Sequence, residues 1–140
     1  MITHIHFLGH KEGYKPMNMY INYCIEREQL SFQVNMRPFP TPNHSANGWF
    51  TFSKEETKTL MKQLEEIHME KWKRKYGKKE PYRFPNYEIL YVVDDEKEYK
   101  TFLYKEEPPR FNEFLDFINS LYPIKENEEF IWKEGYSNQM

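Results

Sequence analysis

Two imidazoles stand two residues apart in His4-Ile5-His6. On an extended strand such neighbours share one side, so both can meet a single metal ion. His10, His44 and His68 are the other histidines that can add ligands. A catalytic metal site needs at least a third protein ligand. No Asp or Glu falls inside this strand, and His68 falls on the apolar stripe of a predicted helix. The plainer reading is two surface or edge-strand histidines, with no metal and no cofactor. A metal-dependent hydrolase built on His4, His6 and His10 is the enzymatic alternative.

Other chemistry is weaker. Cys24 is the single cysteine, so no intramolecular disulfide forms. As a nucleophile it needs a base within hydrogen-bond reach, and its position reads as a small residue on the polar side of a strand. No G-x-S-x-G elbow is present, nor is a G-x-x-x-x-G-K-[ST] or G-x-G-x-x-G phosphate loop. Asp94-Asp95 and Glu106-Glu107 are adjacent acids in turns, whereas paired-carboxylate chemistry needs groups converging from separate elements.

The run Lys71-Trp72-Lys73-Arg74-Lys75-Tyr76-Gly77-Lys78-Lys79 interleaves cations with aromatics. Such a run can grip a phosphate backbone and stack bases. The competing reading is a helix C-terminus whose cations suit the dipole, with Trp72 turned inward. The run is local, and the chain as a whole carries a formal net charge of -2. A nucleic-acid binder shows a broader basic footprint, so the sequence argues against nucleic acid as the partner.

The clearest pattern is the stretch from Met17 to Arg37. Met17, Met19, Ile21, Tyr23 and Ile25 alternate with Asn18, Tyr20, Asn22, Cys24 and Glu26. After a turn near Glu26-Arg27-Glu28-Gln29, Leu30, Phe32, Val34 and Met36 alternate with Ser31, Gln33, Asn35 and Arg37. Period-two alternation predicts a half-buried antiparallel hairpin. A turn centred between Arg27 and Glu28 sets Cys24 opposite Ser31, Asn22 opposite Gln33, Tyr20 opposite Asn35 and Asn18 opposite Arg37. The polar side is rich in amides and nearly uncharged. Asn and Gln are poor strand formers, so something else holds them there. Cross-strand hydrogen bonding is one reason; recognition is the other. Asn43 and His44, in the loop that follows, extend the same end.

These residues need a scaffold, and the remaining sequence supplies one. Thr3 to Leu8 reads as a short strand. Pro38, Pro40 and Pro42 interrupt the ladder after the hairpin and start an exposed loop running to Gly48. Trp49 to Phe52 reads as a fourth strand. Ser53-Lys54-Glu55-Glu56 is a capping box, and the helix it opens is expected to run to about Tyr76. Leu60, Met61, Leu64, His68 and Trp72 form its apolar stripe, with Gly77 as the C′ residue. Tyr87 to Val93 is the strongest strand, central or covered on both sides. Tyr99 to Tyr104 is its hairpin partner. Pro108-Pro109 opens a second helix carrying Phe111, Phe114, Leu115, Ile118 and Leu121, which Pro123 stops.

The order β-β-β-β-α-β-β-α predicts an α+β fold: an antiparallel sheet of about five to six strands with two helices packed on one face. Residues 1–123 form the expected domain. Residues 124–140 form an acidic tail whose apolar island, Phe130-Ile131-Trp132, can dock. In 140 residues, 18% are aromatic and Ala46 is the only alanine, so the core is built from rings and branched aliphatics. The N-terminus lacks the pattern of a signal peptide, and no apolar run approaches the roughly 20 residues of a membrane helix. The expectation is a cytoplasmic, non-enzymatic binding protein of inhibitor or immunity type, from a bacterium or phage. It would contact a protein partner through Asn18, Tyr20, Asn22, Gln33, Asn35, Arg37, Asn43 and His44. A small-ligand or nucleotide binder, with Arg37 on a phosphate and Tyr20 or Phe39 stacking, is the alternative.

Overall fold

The structure is a computed structural model that describes residues 1–9, 17–35, 50–79 and 85–121. In chain order the elements are β1 (Ile2–Gly9), β2 (Met17–Cys24), β3 (Gln29–Asn35), β4 (Phe50–Thr51) and α1 (Lys54–Glu65). A single 3-10 turn (Met69–Lys71) follows, then β5 (Lys75–Gly77), β6 (Tyr87–Val93), β7 (Lys97–Tyr104) and α2 (Phe111–Leu121). The expected Pro38 to Gly48 loop, Trp49, Pro123 and the tail with Phe130 to Trp132 lie outside the described residues.

The seven strands form one sheet in the order β4-β3-β2-β1-β6-β7-β5. The α+β class is as expected, and the strand count exceeds five to six because Lys75–Gly77 adds a short edge. That edge pairs parallel to β7, while every other pair is antiparallel. β1 is internal rather than an edge strand, bonded to β2 on one side and β6 on the other. Its start is tied down: the Met1 ammonium lies 3.0 Å from Asp94 Oδ1, and the Asp95 amide donates to Thr3 Oγ1. β6 is internal, as its unbroken apolar run requires.

Among the described side chains, the odd-numbered ones of β1, β2 and β6 and the even-numbered ones of β3 face the helices. Ile5, Phe7, Met19, Ile21, Leu30, Phe32, Ile89, Tyr91 and Leu103 are buried there with Leu60, Met61 and Leu64 of α1 and Phe111, Phe114, Phe117 and Ile118 of α2. With so little alanine, rings fill the layer. Phe114 meets Phe7 and Trp72 edge-on, each at 5.5 Å between centroids, and Tyr87 meets Phe111 at 5.0 Å. Edge-to-face contact at these separations is the favoured arrangement of aromatic quadrupoles.

The hairpin register differs from the expected one. Cys24 pairs with Gln29, Asn22 with Ser31, Tyr20 with Gln33 and Asn18 with Asn35. The turn is centred one residue earlier, between Glu26 and Arg27, and Glu28 leaves it with a left-handed φ of 53°. The two-residue shift of partners preserves the faces, since side chains alternate with period two.

α1 begins as its sequence demands. Ser53 accepts from the Glu56 amide and Glu56 accepts from the Ser53 amide, which holds the Glu56 carboxyl below the usual range. It ends much earlier than expected, at Glu65. His68 adopts a left-handed φ of 58°, sits exposed, and turns the chain into the 3-10 turn. Local periodicity loses to tertiary bonds here. The break buries Met69 completely and lets its carbonyl accept from the Tyr91 hydroxyl at 2.6 Å. Trp72 is buried as expected but off the helix, its indole N–H donating to the Pro109 carbonyl at 3.0 Å. Gly77 is no helix cap but the end of β5. Its φ is +83°, and a Cβ there would stand 1.9 Å from the Tyr104 carbonyl oxygen, so only glycine closes that edge. α2 starts at Phe111, after Arg110 takes a left-handed φ of 63°.

Two outcomes test this core. Phe114→Ala should cost about 3–5 kcal/mol in denaturant unfolding, the usual loss for a buried ring. Burial pushes the Tyr91 hydroxyl up to about 12, against the opposing pull of the Thr101 hydroxyl. A pKa raised on folding stabilises the protein fully below the unfolded value near 10. That contribution is lost as pH rises through the folded value of about 12. Phenolate absorbance should therefore show one tyrosine resisting ionisation until the protein unfolds, a component absent from Tyr91→Phe.

Candidate functional site

Because both helices cover one face of the sheet, the other face presents the opposite set of side chains. Strand registers arrange them in rows. Gln33, Tyr20, His6, Leu90 and Lys100 form one row from β3 to β7. Thr51, Ser31, Asn22, His4, Val92 and Glu98 form the next. On the other side of the first row, Asn18, Leu8, Glu88, Phe102 and Lys75 line up, with Asn35 as the backbone partner of Asn18. All the side chains described on this face are half-buried or exposed.

The face has two chemical halves. From β4 to β1 it carries amides, hydroxyls and the two imidazoles, with Leu8 at one end and no Lys, Arg, Asp or Glu among the described side chains. The His6 and Tyr20 rings stack at 4.3 Å between centroids and 9° between planes. His6 Nε2 lies 3.0 Å from Asn18 Oδ1; since the amide oxygen only accepts, the ring nitrogen donates. Ser31 and Thr51 share a hydroxyl bond at 3.1 Å. Tyr20 remains 40% exposed. From β6 to β5 the face carries Leu90, Val92, Phe102 and Tyr104 with the cations Lys100 and Lys75. The Arg74 guanidinium lies 5.7 Å above the Phe102 ring. Beside the first half of β7, a cleft of about 370 Å³ opens among Trp72, Arg74, Tyr91, Glu98, Tyr99 and Lys100.

Of the residues singled out by the sequence, Asn18, Tyr20, Asn22 and Gln33 share this face, together with His4 and His6. Arg37, Asn43, His44 and His10 lie outside the described residues. The expected Asn18–Arg37 pairing is replaced by Asn18–Asn35. Cys24 is half-buried on the same face, in register with Gln29. His4 and His6 do project from one side, but they turn to different partners. His4 Nδ1 lies 3.2 Å from Thr3 Oγ1 and 3.4 Å from Asp95 Oδ1, while His6 is held by Tyr20 and Asn18. Among the described residues no group of three His, Cys, Asp or Glu side chains converges to hold a metal. Asp94 and Asp95 serve structure at the β6–β7 turn, on the N-terminus and on His4.

Sequence reasoning missed the stack of His6 on Tyr20. Both occupy polar positions of their strands, and the pairing of β1 with β2 brings them side by side. It also missed Phe102 and Tyr104, whose alternation within Lys100-Thr101-Phe102-Leu103-Tyr104 is itself a period-two signal.

No family model, curated protein or solved structure matches this chain. No helix among the described residues is long and apolar enough to cross a membrane.

The paired roles of His4 and His6 make a clear expectation. Protein purified without an affinity tag should carry no stoichiometric zinc, manganese or nickel by elemental analysis. One equivalent of metal, lost in the His4→Ala/His6→Ala variant, would overturn the reading of these histidines as hydrogen-bonded surface groups.

Proposed function

We propose that the chain is a non-enzymatic protein that binds a protein partner stoichiometrically through the β4–β1 half of its open sheet face. The observation that carries this reading is the neutral, ordered polar surface itself. Asn18, Tyr20, Asn22, Gln33, Ser31 and His6 present directional donors and acceptors without the desolvation cost of formal charge. Stacking and hydrogen bonding already hold His6 and Tyr20 in place, so little side-chain entropy remains to be lost on binding. A half-exposed tyrosine at the middle of such a surface is the residue type that dominates interface energetics.

Size supplies a further constraint. Strands about 4.8 Å apart and about 3.3 Å per residue make this half roughly 14 Å by 23 Å, or about 300 Å². A standard interface buries about 800 Å² on each side. The segment Pro38 to Gly48, which lies between β3 and β4 in the chain and holds Asn43 and His44, is proposed to supply the rest. Arg37, beside that segment, belongs to the same proposed surface. A cytoplasmic role of inhibitor or immunity type in a bacterium or its phage suits a chain of 140 residues rich in Lys, Glu, Tyr and Asn. A dedicated inhibitor of this kind acts by occupying its target.

The test is capture from the native host followed by measurement of stoichiometry. The wild-type chain should retain one partner at one-to-one ratio, by light scattering on the purified complex. Tyr20→Ala with Asn22→Ala should lose at least about 2 kcal/mol of affinity, the loss typical of a central interface residue, with an unchanged thermal midpoint. Equal capture by the double variant would assign binding to another surface.

A further inference from the structure

The basic run expected at the end of a helix lies elsewhere in the fold. From Lys71 to Lys79 it contains Lys71, Lys73, Arg74, Lys75, Lys78 and Lys79 and no acid. The structure places its middle along the sheet edge, with Lys75 in register beside Phe102 and Gly77 beside Tyr104. Phe102 and Tyr104 alternate on β7, so both stand on the open face with Lys100. Neither Lys75 nor Lys100 pairs with a carboxylate among the described residues. Thus two rings and three cations, Arg74, Lys75 and Lys100, lie together along one border of the sheet, beside the aromatic-walled cleft whose lining includes Arg74 and Lys100.

We propose that this β5–β7 border binds single-stranded nucleic acid, with Phe102 and Tyr104 stacking bases and Arg74, Lys75 and Lys100 contacting phosphates. Each half of that combination has a physical role. Rings accept any base through its π-face, and cations follow the backbone. The Arg74 guanidinium above Phe102 offers a second plane on which a base can stack.

Spacing selects the strand type. Side chains two apart on β7 stand about 7 Å apart, about twice the 3.4 Å rise of stacked bases along a duplex strand. Neighbouring bases reach both rings only when unstacked and extended, which a single strand permits and a duplex forbids. Glu88, next to Phe102 on β6, and Glu98, on β7, bound the path. The strand would therefore run along the border rather than across the sheet, which leaves the polar half free for the partner proposed above.

Fluorescence anisotropy with labelled dT12 provides the test on the full chain. Binding should saturate at low salt, with three phosphate contacts giving a log–log salt slope of about -2. Affinity should then fall about twentyfold between 50 mM and 200 mM salt. Lys75→Glu with Lys100→Glu, both exposed positions, should abolish binding with no shift in thermal midpoint. Phe102→Leu and Tyr104→Leu should each weaken dT12 by about tenfold at unchanged salt slope. Tyr20→Ala with Asn22→Ala should leave dT12 binding intact, which separates this site from the polar half. Four results would each overturn the proposal: no saturable binding at low salt, equal affinity for a twelve-base-pair duplex, equal affinity for thymidine monophosphate, or undiminished binding by the Lys75→Glu/Lys100→Glu variant.

Discussion

The double pairing of β1 is the constraint on which the rest of the molecule depends. Ile5 stands in register with Ile21 on one side and Tyr91 on the other, and Phe7 with Met19 and Ile89. That register carries the apolar side chains of three strands to one face. A slip of one residue against both neighbours would send His4 and His6 beneath the helices, where unpaired polar groups cost several kcal/mol. The Met1 ammonium, the Asp94 and Asp95 backbone and Thr3 anchor the start of the strand to the β6–β7 turn. The N-terminal residues thus join two hairpins that are far apart in sequence.

Everything placed on the open face follows from that arrangement. Both helices lie on one side, so among the described residues the other has no helical layer, and the strand order then divides it. β2 and β3 bring amides and hydroxyls to one half, β6 and β7 bring aliphatic and aromatic side chains to the other, and Lys75 of β5 with the preceding Arg74 adds cations at the border. The division has no counterpart in the net charge of -2, because charge is a sum over the chain and recognition reads local arrangement. The same reasoning separates the two proposed functions: uncharged hydrogen bonding suits a protein surface, while rings flanked by cations suit an extended polyanion.

Some of this was legible in the residues and some was not. The Ser53-to-Glu56 capping box was legible because its bonds close within one turn. The faces of the hairpin were legible because they depend only on period two. Its partners were not, because they depend on where the turn is centred, and a left-handed Glu28 moved that centre by one residue. The length of α1 was the largest departure. Leu60, Met61 and Leu64 fit the expected stripe, and Trp72 is buried too, but Tyr91 and Pro109 capture the chain at Met69 and Trp72 and end the helix. Freed from the helix, Lys75–Gly77 became an edge strand, and the basic run acquired aromatic neighbours from β7.

Sequence alone therefore determined the α+β class, the capping of α1, the ring-filled core and which side chains of each strand share a face. All of these follow from short-range periodicity and composition, which any segment carries with it. The tertiary structure decided which strands are neighbours, where α1 stops, and that His6 stacks on Tyr20 while Arg74 lies over Phe102. Those choices rest on contacts between distant segments, and their free energies exist only once the chain has closed on itself.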